Sequence, residues 1–168
     1  MEPKTTTESS DRRFALLIDA DNVSARYLKP ILNELSKYGT VTIKRIYGDW
    51  TLTLHAKWKD ALLENSITPI QQFGYTQGKN ATDSAMIIDA MDILYSGNCD
   101  GFVLVSSDSD YWGLITSMPH AKFLVMVERE KCGIDMKKAL ADSEIFYCFI
   151  DDFYSGNAEE IRRSALFK

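Results

Sequence analysis

Four aspartates stand where their carboxylates can act together on one substrate. They are Asp19, Asp83, Asp108 and Asp110. Asp19 directly follows an apolar run at residues 14–18. Asp108 and Asp110 follow a second run, at 101–105. Asp83 follows a third run, at 67–73, from which a glycine-rich loop separates it. Converging carboxylates repel one another unless a cation is bound, and hard oxygen ligands select Mg²⁺ or Mn²⁺ over zinc. The set therefore predicts a site for one or two such ions, which could activate water for phosphodiester hydrolysis.

Three polar side chains beside these aspartates are candidates for substrate contacts. Asn22 follows Asp19 by three residues and could bond that carboxylate, contact a phosphate or cap the next helix. Lys79 lies in the glycine-rich loop before Asp83, where it could meet a phosphate or stay in solvent. Ser106 offers a hydroxyl between the second apolar run and its two aspartates. Weaker candidates are Arg26, Lys44 and Arg45.

A purely structural explanation competes with the catalytic one, because aspartate is common at helix N-caps. Asp21, Asp83 and Asp110 each stand where a helix could begin. Asp19 is harder to explain in this way, because it directly ends an apolar strand. The pair Asp108 and Asp110, after another apolar strand, is harder still, so the set as a whole favours a metal site.

Two further acids share the predicted helix of Asp83. Asp89 lies six residues further on and well round the helix, where it could pair with a basic residue or support a metal ligand from behind. Asp92 lies about half a turn from Asp83 and is expected to be in solvent.

Other chemistries fit the chain less well. Its two histidines, His55 and His120, lie away from the serines near the aspartates, which argues against a Ser–His–Asp triad. The three cysteines are odd in number and widely spaced, which disfavours a disulfide framework and a zinc knuckle and predicts small buried hydrophobes in a reducing compartment. They are Cys99, Cys132 and Cys148. The tryptophans Trp50, Trp58 and Trp112 are expected in the core rather than as platforms for bases.

The elements that must position the aspartates alternate between short apolar runs and helix-like segments. The runs are residues 14–18, 41–47, 67–73, 101–105, 122–127 and 145–150. The helix-like segments are 24–37 (ended by Gly39), 52–65, 82–95, 111–117 and 135–141. This alternation predicts an α/β fold, a three-layer αβα sandwich with a mostly parallel central sheet. Sites in such sheets form beyond the carboxyl ends of the strands, so the aspartates converge if the first and fourth strands are neighbours.

The composition fits one globular domain. Of 168 residues, 45% are hydrophobic and 26% are charged, so a packed core is expected. We expect residues 1–13 to be a disordered lead-in, 14–153 to be the folded domain and 154–168 to be a polar tail that includes a helix at 158–166. No apolar run approaches the roughly 20 residues of a membrane span, and the start lacks the apolar segment of a secretory signal. A cytoplasmic protein without membrane attachment is therefore expected.

The motifs around the aspartates resemble those of the NYN domain, in the LabA-like branch (domain of unknown function 88) of the PIN-like nucleases. The similarity covers most of the chain, from residue 14 to 153. Its segments are FALLIDADN at 14–22, GKNATD at 78–83 with Asp89 beyond it, LVSSDSDY at 104–111 and, more weakly, LADSEIF at 140–146. Two departures stand out: Gly78 precedes Lys79 where the family has the reverse order, and Ser107 replaces the usual glycine.

The resemblance implies a PIN-like fold with central strand order 3-2-1-4-5 and a metal-dependent ribonuclease site. By position it carries Asp19, Asp83, Asp108 and Asp110 as the acidic set, with RNA, expected to be single-stranded, as the substrate. A homodimer is a candidate oligomeric state. Related proteins append an RNA-binding module after this domain, so the chain could be part of a longer protein.

Two other functions compete with a ribonuclease. A haloacid-dehalogenase-like phosphatase would use Asp19 as nucleophile and Asp21 as acid and base, which leaves Asp83 without a role. A non-catalytic RNA-binding or regulatory module would keep the fold without turnover. The net charge of −5 is mildly unfavourable for a surface that binds nucleic acid, although bound cations would reverse the local field.

Overall fold

The computed structural model describes residues 12–20, 23–51, 57–71, 79–107, 122–129, 134, 138 and 146–153. Side chains are described for these residues except at 79–84, 87, 146, 152 and 153. The expected helices at 111–117 and 158–166, the helix at 135–141 apart from residue 138, and the lead-in up to residue 11 lie outside the described part of the chain.

A parallel sheet forms the centre of the protein. Its six strands, counted over the described residues, are β1 (Arg13–Asp19), β2 (Thr40–Gly48), β3 (Thr68–Gln71), β4 (Gly101–Val105), β5 (Phe123–Val127) and β6 (Phe146–Phe149). Their order is β3-β2-β1-β4-β5-β6, and every neighbouring pair is parallel. The expected order 3-2-1-4-5 is confirmed, with β6 added at the far edge. β1 and β4 are therefore neighbours at the point where the strand order reverses.

Helices connect the strands. They are α1 (Leu28–Leu35, preceded by a 3-10 turn at Ala25–Tyr27), α2 (Lys59–Asn65) and α3 (Lys79–Ser96). A second 3-10 turn, Ile150–Phe153, follows β6. Helix α3 begins three residues before the expected start at 82, so Lys79 lies in the first turn of the helix and not in the loop before it. In the described residues, no helix has the length and apolar character needed to cross a lipid bilayer.

The two faces of the sheet carry separate hydrophobic cores, which confirms the three-layer arrangement. On β1, Leu16 packs with the α1 side chains, whereas Leu17 packs with those of α3. All of β1 after its first residue is buried, as are β4 and β5 throughout. This is the burial expected of parallel strands that are covered on both faces.

Several smaller expectations have clear outcomes. Trp58 is buried and Trp50 is half-buried against the same core, as expected, while Trp112 lies outside the described residues. Cys148 is buried and Cys99 is half-buried, both as free thiols. Gly39 was expected to end the first helix, but that helix ends at Leu35 and is capped by Ser36.

Gly39 is instead needed because two segments of the backbone approach each other closely at this position. A Cβ atom at this position would lie 2.5 Å from the carbonyl oxygen of Arg12 and 2.9 Å from the ring of Phe14. The next residue, Thr40, donates its N–H to the same carbonyl at 2.7 Å. A glycine is therefore needed where β2 first pairs with β1.

Candidate active site

Asp19 lies at the centre of the edge formed by the carboxyl ends of the strands. It is the last residue of β1, which runs between β2 and β4, and its exposed fraction is 1%. The hydroxyl of Ser106, the first residue after β4, donates to Asp19 Oδ2 at 2.8 Å. A buried polar group is costly unless it is hydrogen-bonded, and the two strand ends that lie side by side here supply such a donor to Asp19.

Alternation along the strands indicates the face to which Asp19 belongs. It follows Leu17 by two residues, and Leu17 packs in the core beneath α3. Side chains two residues apart on a strand project from the same face of a sheet. Ser106 likewise follows Leu104, which packs in that core. Asp19 and Ser106 therefore belong to the face that α3 covers.

Helix α3 carries Asp83 in its second turn, and a contact further along fixes the helix to the sheet. Asp89 accepts a hydrogen bond from the hydroxyl of Tyr47 at 2.6 Å and pairs with Arg45, whose Nη1 lies 3.4 Å from Oδ2. Of the two roles considered for Asp89, pairing with a basic residue is the one that the structure shows. In the register of the sheet, Tyr47 is the partner of Asp19, so α3 is attached one strand away from the central aspartate.

Burial affects the ionisation of Tyr47. Its side chain is fully buried, and burial raises the pKa of its hydroxyl far above the usual value of about 10. The hydrogen bond to Asp89 and the charge of that carboxylate act in the same direction. Tyr47 is thus a neutral donor throughout the physiological range. The remaining acid of the helix, Asp92, is exposed, as expected.

The loop after β4 is held against β5 before it reaches Asp108. The N–H of Ser106 donates to the carbonyl of Met126 at 3.1 Å. The N–H of Glu128 donates to the hydroxyl of Ser107 at 2.9 Å. Both serines are buried, so this segment leaves the sheet from a fixed position.

Sequence reasoning missed the acids at the ends of three other strands. Glu128 directly follows β5 and is 2% exposed, and Asp49 directly follows β2 and is 9% exposed. Asp151 lies just after β6 and accepts the N–H of Arg129 at 2.6 Å. The signal was available for the first of these, because an acid directly after an apolar run was the feature that singled out Asp19.

The missed acids differ in their surroundings. Asp49 Oδ1 accepts bonds from the N–H and hydroxyl of Thr51 and from Gln71 Nε2 at 2.8 Å, so this carboxylate stabilises the turn after β2. Glu128 accepts the N–H of Ser24 at 2.9 Å and its hydroxyl at 3.2 Å. Glu128 therefore joins β5 to the segment that leaves β1.

The basic residues named as weaker candidates have structural contacts. Lys44 Nζ donates to the carbonyl of Asn65 at 3.0 Å, and Arg45 pairs with Asp89. The guanidinium of Arg26 lies 5.0 Å from the ring centroid of Tyr27, and its Nη2 donates to the hydroxyl of that tyrosine. Of these residues, only Arg26 is exposed.

The remaining predicted site residues are only partly described. Asp108, Asp110 and Asn22 lie outside the described residues, and of Asp83 and Lys79 only the helical backbone is described. Across the part of the chain that is described, no three acids, histidines or cysteines gather into a metal-binding group. The donors that are described, a carboxylate oxygen of Asp19 and the hydroxyl of Ser106, are hard oxygens and suit Mg²⁺ or Mn²⁺.

Comparison with known proteins relates this architecture to a family. The model of the NYN domain matches residues 13–143, which is most of the chain. A solved structure of a protein of unknown function from Vibrio parahaemolyticus aligns with a TM-score of 0.62 and 16% identity, over 91% of this chain and 98% of that chain. This likeness shows the α/β fold alone, and no curated protein matches the chain. On the strength of the family match, the chain belongs to the NYN domain family, within the PIN-like nuclease superfamily.

Proposed function

We propose that this protein is a metal-dependent ribonuclease of the LabA-like branch of the NYN family. The observation that carries the proposal is the buried carboxylate of Asp19, bonded to Ser106 where β1 and β4 end side by side. The strand order reverses at this point, and parallel α/β proteins bind their ligands beyond the carboxyl ends of the strands at such a reversal. Family membership adds a nuclease-type hydrolase as the expected class.

The four predicted aspartates belong to different elements that meet at this edge of the sheet. Asp19 ends β1, Asp83 lies on the helix that covers the same face, and Asp108 and Asp110 follow the fixed segment after β4. We propose that these four side chains hold one or two Mg²⁺ or Mn²⁺ ions. When bound, the ion makes a water acidic enough to supply a nucleophile near neutral pH and stabilises charge on the phosphate.

The other residues of the site are proposed to orient a metal ligand or to contact the substrate. Ser106, through its bond to Asp19 Oδ2, fixes the direction in which that carboxylate presents its oxygens. Substrate binding by Ser106 remains a prediction, and the proposed role of its hydroxyl is to orient Asp19. Asn22, after the end of β1, and Lys79, in the first turn of α3, are proposed to contact the phosphate of the substrate.

The proposed substrate is single-stranded RNA, in keeping with membership of the NYN family. The net charge of −5 argues that few contacts are made to phosphates far from the site, because such contacts come from lysine and arginine. Binding would then depend on the metal ions and on a small number of basic residues. A cytoplasmic location and a homodimer are proposed with the same function.

The test is cleavage of a labelled single-stranded RNA by the purified chain with Mn²⁺, with Mg²⁺ and with a chelator. Asp19→Asn should lower the rate by at least about 100-fold, because it removes a charged ligand at the centre of the site. Asp92→Asn is the matched control, since it removes the same charge from an exposed position on α3. A variant in which Asp108 and Asp110 are both changed to Asn tests whether these two aspartates, which lie outside the described residues, are needed for cleavage.

The alternatives give different results in the same experiment. RNA that binds without turnover, with no effect of metal, would support a non-catalytic module in place of the nuclease. Turnover of p-nitrophenyl phosphate that is lost in Asp21→Asn would support the phosphatase, because Asp21 is its acid and base and has no role in the nuclease. Metal-dependent RNA cleavage that survives Asp21→Asn but not Asp19→Asn is the result that we expect.

A further inference from the structure

Glu128 is a buried charged residue that the proposed reaction does not use. Its exposed fraction is 2%, and it directly follows the fully buried strand β5. Both of its carboxylate oxygens accept hydrogen bonds from Ser24, one from the backbone N–H at 2.9 Å and the other from the hydroxyl at 3.2 Å. A carboxylate is expensive to bury, so these contacts must stabilise it enough for the fold to tolerate it.

The face on which Glu128 lies argues against direct contact with the ions of the aspartate site. Glu128 follows Met126 and Leu124 at intervals of two residues, and both of these pack in the core beneath α1. Its side chain therefore projects from the α1 face, while Asp19 follows Leu17 on the α3 face. The two carboxylates therefore belong to opposite faces of the sheet, and the contacts of Glu128 that lead to the site are those with Ser24 and Ser107.

The backbone contacts of Glu128 reach the two segments that deliver site residues. Ser24 belongs to the segment that leaves β1 after Asp19 and includes Asn22. Ser107, which accepts the N–H of Glu128 at 2.9 Å, directly precedes Asp108. The hydroxyl of Ser107 also donates to the carbonyl of Glu128 at 3.4 Å. One residue thus joins the carboxyl ends of β1, β4 and β5 by four hydrogen bonds, all of them buried or partly buried.

We propose that Glu128 is a positioning residue for the aspartate site. By holding Ser24 through its carboxylate and Ser107 through its N–H, it fixes the segments after β1 and β4 in the arrangement that binds the metal ions. The inference rests on the proposed function, because it assigns Glu128 a role in that same site. The role depends on hydrogen-bond geometry and not on the negative charge.

Two substitutions separate geometry from charge. Glu128→Gln removes the charge but keeps the length, so its amide can still accept the Ser24 N–H and donate to the Ser24 hydroxyl. Glu128→Asp keeps the charge, but its side chain is one methylene too short to maintain both contacts. The test measures the Mn²⁺ affinity of each variant by calorimetry on the whole chain, together with kcat and KM for RNA cleavage and the melting temperature.

A positioning role predicts that Glu128→Gln stays within about threefold of wild-type Mn²⁺ affinity, while Glu128→Asp loses about 10-fold or more, as for other residues that orient ligands. The loss in Glu128→Asp should fall on kcat more than on KM. Glu34→Gln is the control for disturbing a buried glutamate, because Glu34 lies on α1 and accepts hydrogen bonds from Lys37 and Tyr38, just beyond the end of that helix. It should lower the melting temperature and leave Mn²⁺ affinity unchanged.

The opposite ranking overturns the proposal. If Glu128→Gln loses Mn²⁺ affinity and Glu128→Asp keeps it, the charge acts on the ions and the residue is not a positioning group. If both variants bind Mn²⁺ and cleave RNA like wild type, Glu128 has no role in the site, while the proposed function stands. A wild-type chain that neither binds Mn²⁺ nor cleaves RNA overturns the proposed function and, with it, this inference.

Discussion

The hydroxyl of Ser106 donates to the carboxylate of Asp19 across 87 positions of sequence, at 2.8 Å and with both side chains buried. The contact exists because β1 and β4 are parallel neighbours that end at the same edge, with Ile18 and Val105 as partners in the register. Each strand contributes one polar residue directly beyond its apolar run. The pair therefore holds one oxygen of the central carboxylate against the end of β4.

We predict that Ser106→Ala weakens Mn²⁺ binding by about 10-fold or more, the range found when a partner of a metal ligand is removed. The alanine cannot donate to Asp19, so that carboxylate loses a contact that helps to orient it. Calorimetry with Mn²⁺ measures the effect. Ser36→Ala is the matched control, because the hydroxyl of Ser36 is exposed and donates to the nearby carbonyl of Asn33 on α1. Equal affinities in Ser106→Ala and wild type would show that Asp19 binds metal without this donor.

A second prediction concerns the attachment of α3 to the sheet. Tyr47→Phe removes the donor to Asp89, which keeps its pairing with Arg45. We expect a loss of about 1.5–3 kcal/mol in the free energy of unfolding at neutral pH, the usual contribution of a hydrogen bond to a charged group. Urea unfolding measures it. An unchanged free energy would mean that Arg45 alone holds Asp89.

The pH dependence of Tyr47 gives an independent check. The folded state raises the pKa of this hydroxyl, chiefly by burial, so the stabilising effect is complete below the unfolded pKa of about 10. Above that pH the unfolded chain releases the proton while the folded chain keeps it, and stability falls as pH rises. The stability difference between wild type and Tyr47→Phe should therefore shrink between pH 9 and about pH 11. A constant difference across this range would contradict the assignment.

A third prediction concerns the opposite end of the sheet. Asp100 precedes β4 and accepts the N–H of Arg13 at 2.8 Å, while its own N–H donates to the Arg13 carbonyl at 2.7 Å. The N–H of Arg13 lowers the pKa of Asp100, with a further contribution from the arginine side chain. This contribution to stability is present above the unfolded pKa of about 3.9 and is lost as pH falls below it.

Asp100→Asn should therefore be less stable than wild type at pH 6, by at most about 1 kcal/mol because the pair is exposed. The difference should vanish between pH 4 and about pH 2, where wild type loses its charge as well. Thermal unfolding across this range measures both effects. A difference that persists at pH 2 would show that the charge of Asp100 is not the source.

Much of the fold follows from periodicity in the sequence. The run at residues 101–105 is β4 to the residue. The strand order 3-2-1-4-5, which the family resemblance implied, also holds in the sheet. Parallel strands that are buried on both faces are continuous apolar runs, so their pattern is unambiguous. Boundaries of helices are less clear, because the segment expected at 24–37 divides into a 3-10 turn and the shorter α1.

The site was less predictable than the fold. Asp19 stands out because it ends an apolar run, but Glu128 does so too and was overlooked among charged neighbours. The roles of both depend on partners that are 87 and 104 positions away in the sequence. The order of the strands in the sheet brings these distant residues together. Gly39 shows the same limit, since its closest neighbours, Arg12 and Phe14, lie just before β1 and within it, far away in the sequence.

The last prediction concerns two glycines, Gly39 and Gly97, which are required for different reasons: a close contact at the first and a positive φ at the second. Gly39→Ala places a Cβ against a backbone carbonyl and a packed ring, so it should cost about 1–3 kcal/mol of unfolding free energy by overpacking. Gly97→Ala meets no atom within 4 Å, but its φ of +71° should cost about 1–2 kcal/mol by backbone strain.

Asparagine distinguishes the two causes, because it tolerates positive φ but is larger than alanine. Gly97→Asn should recover most of the stability that Gly97→Ala loses, whereas Gly39→Asn should be no better than Gly39→Ala. Urea unfolding of the four variants measures this, with Mn²⁺ affinity as a second readout that none of them should change in the folded state. Recovery at Gly39 with asparagine would contradict the steric explanation, because no added atom can relieve a contact of 2.5 Å with a backbone oxygen.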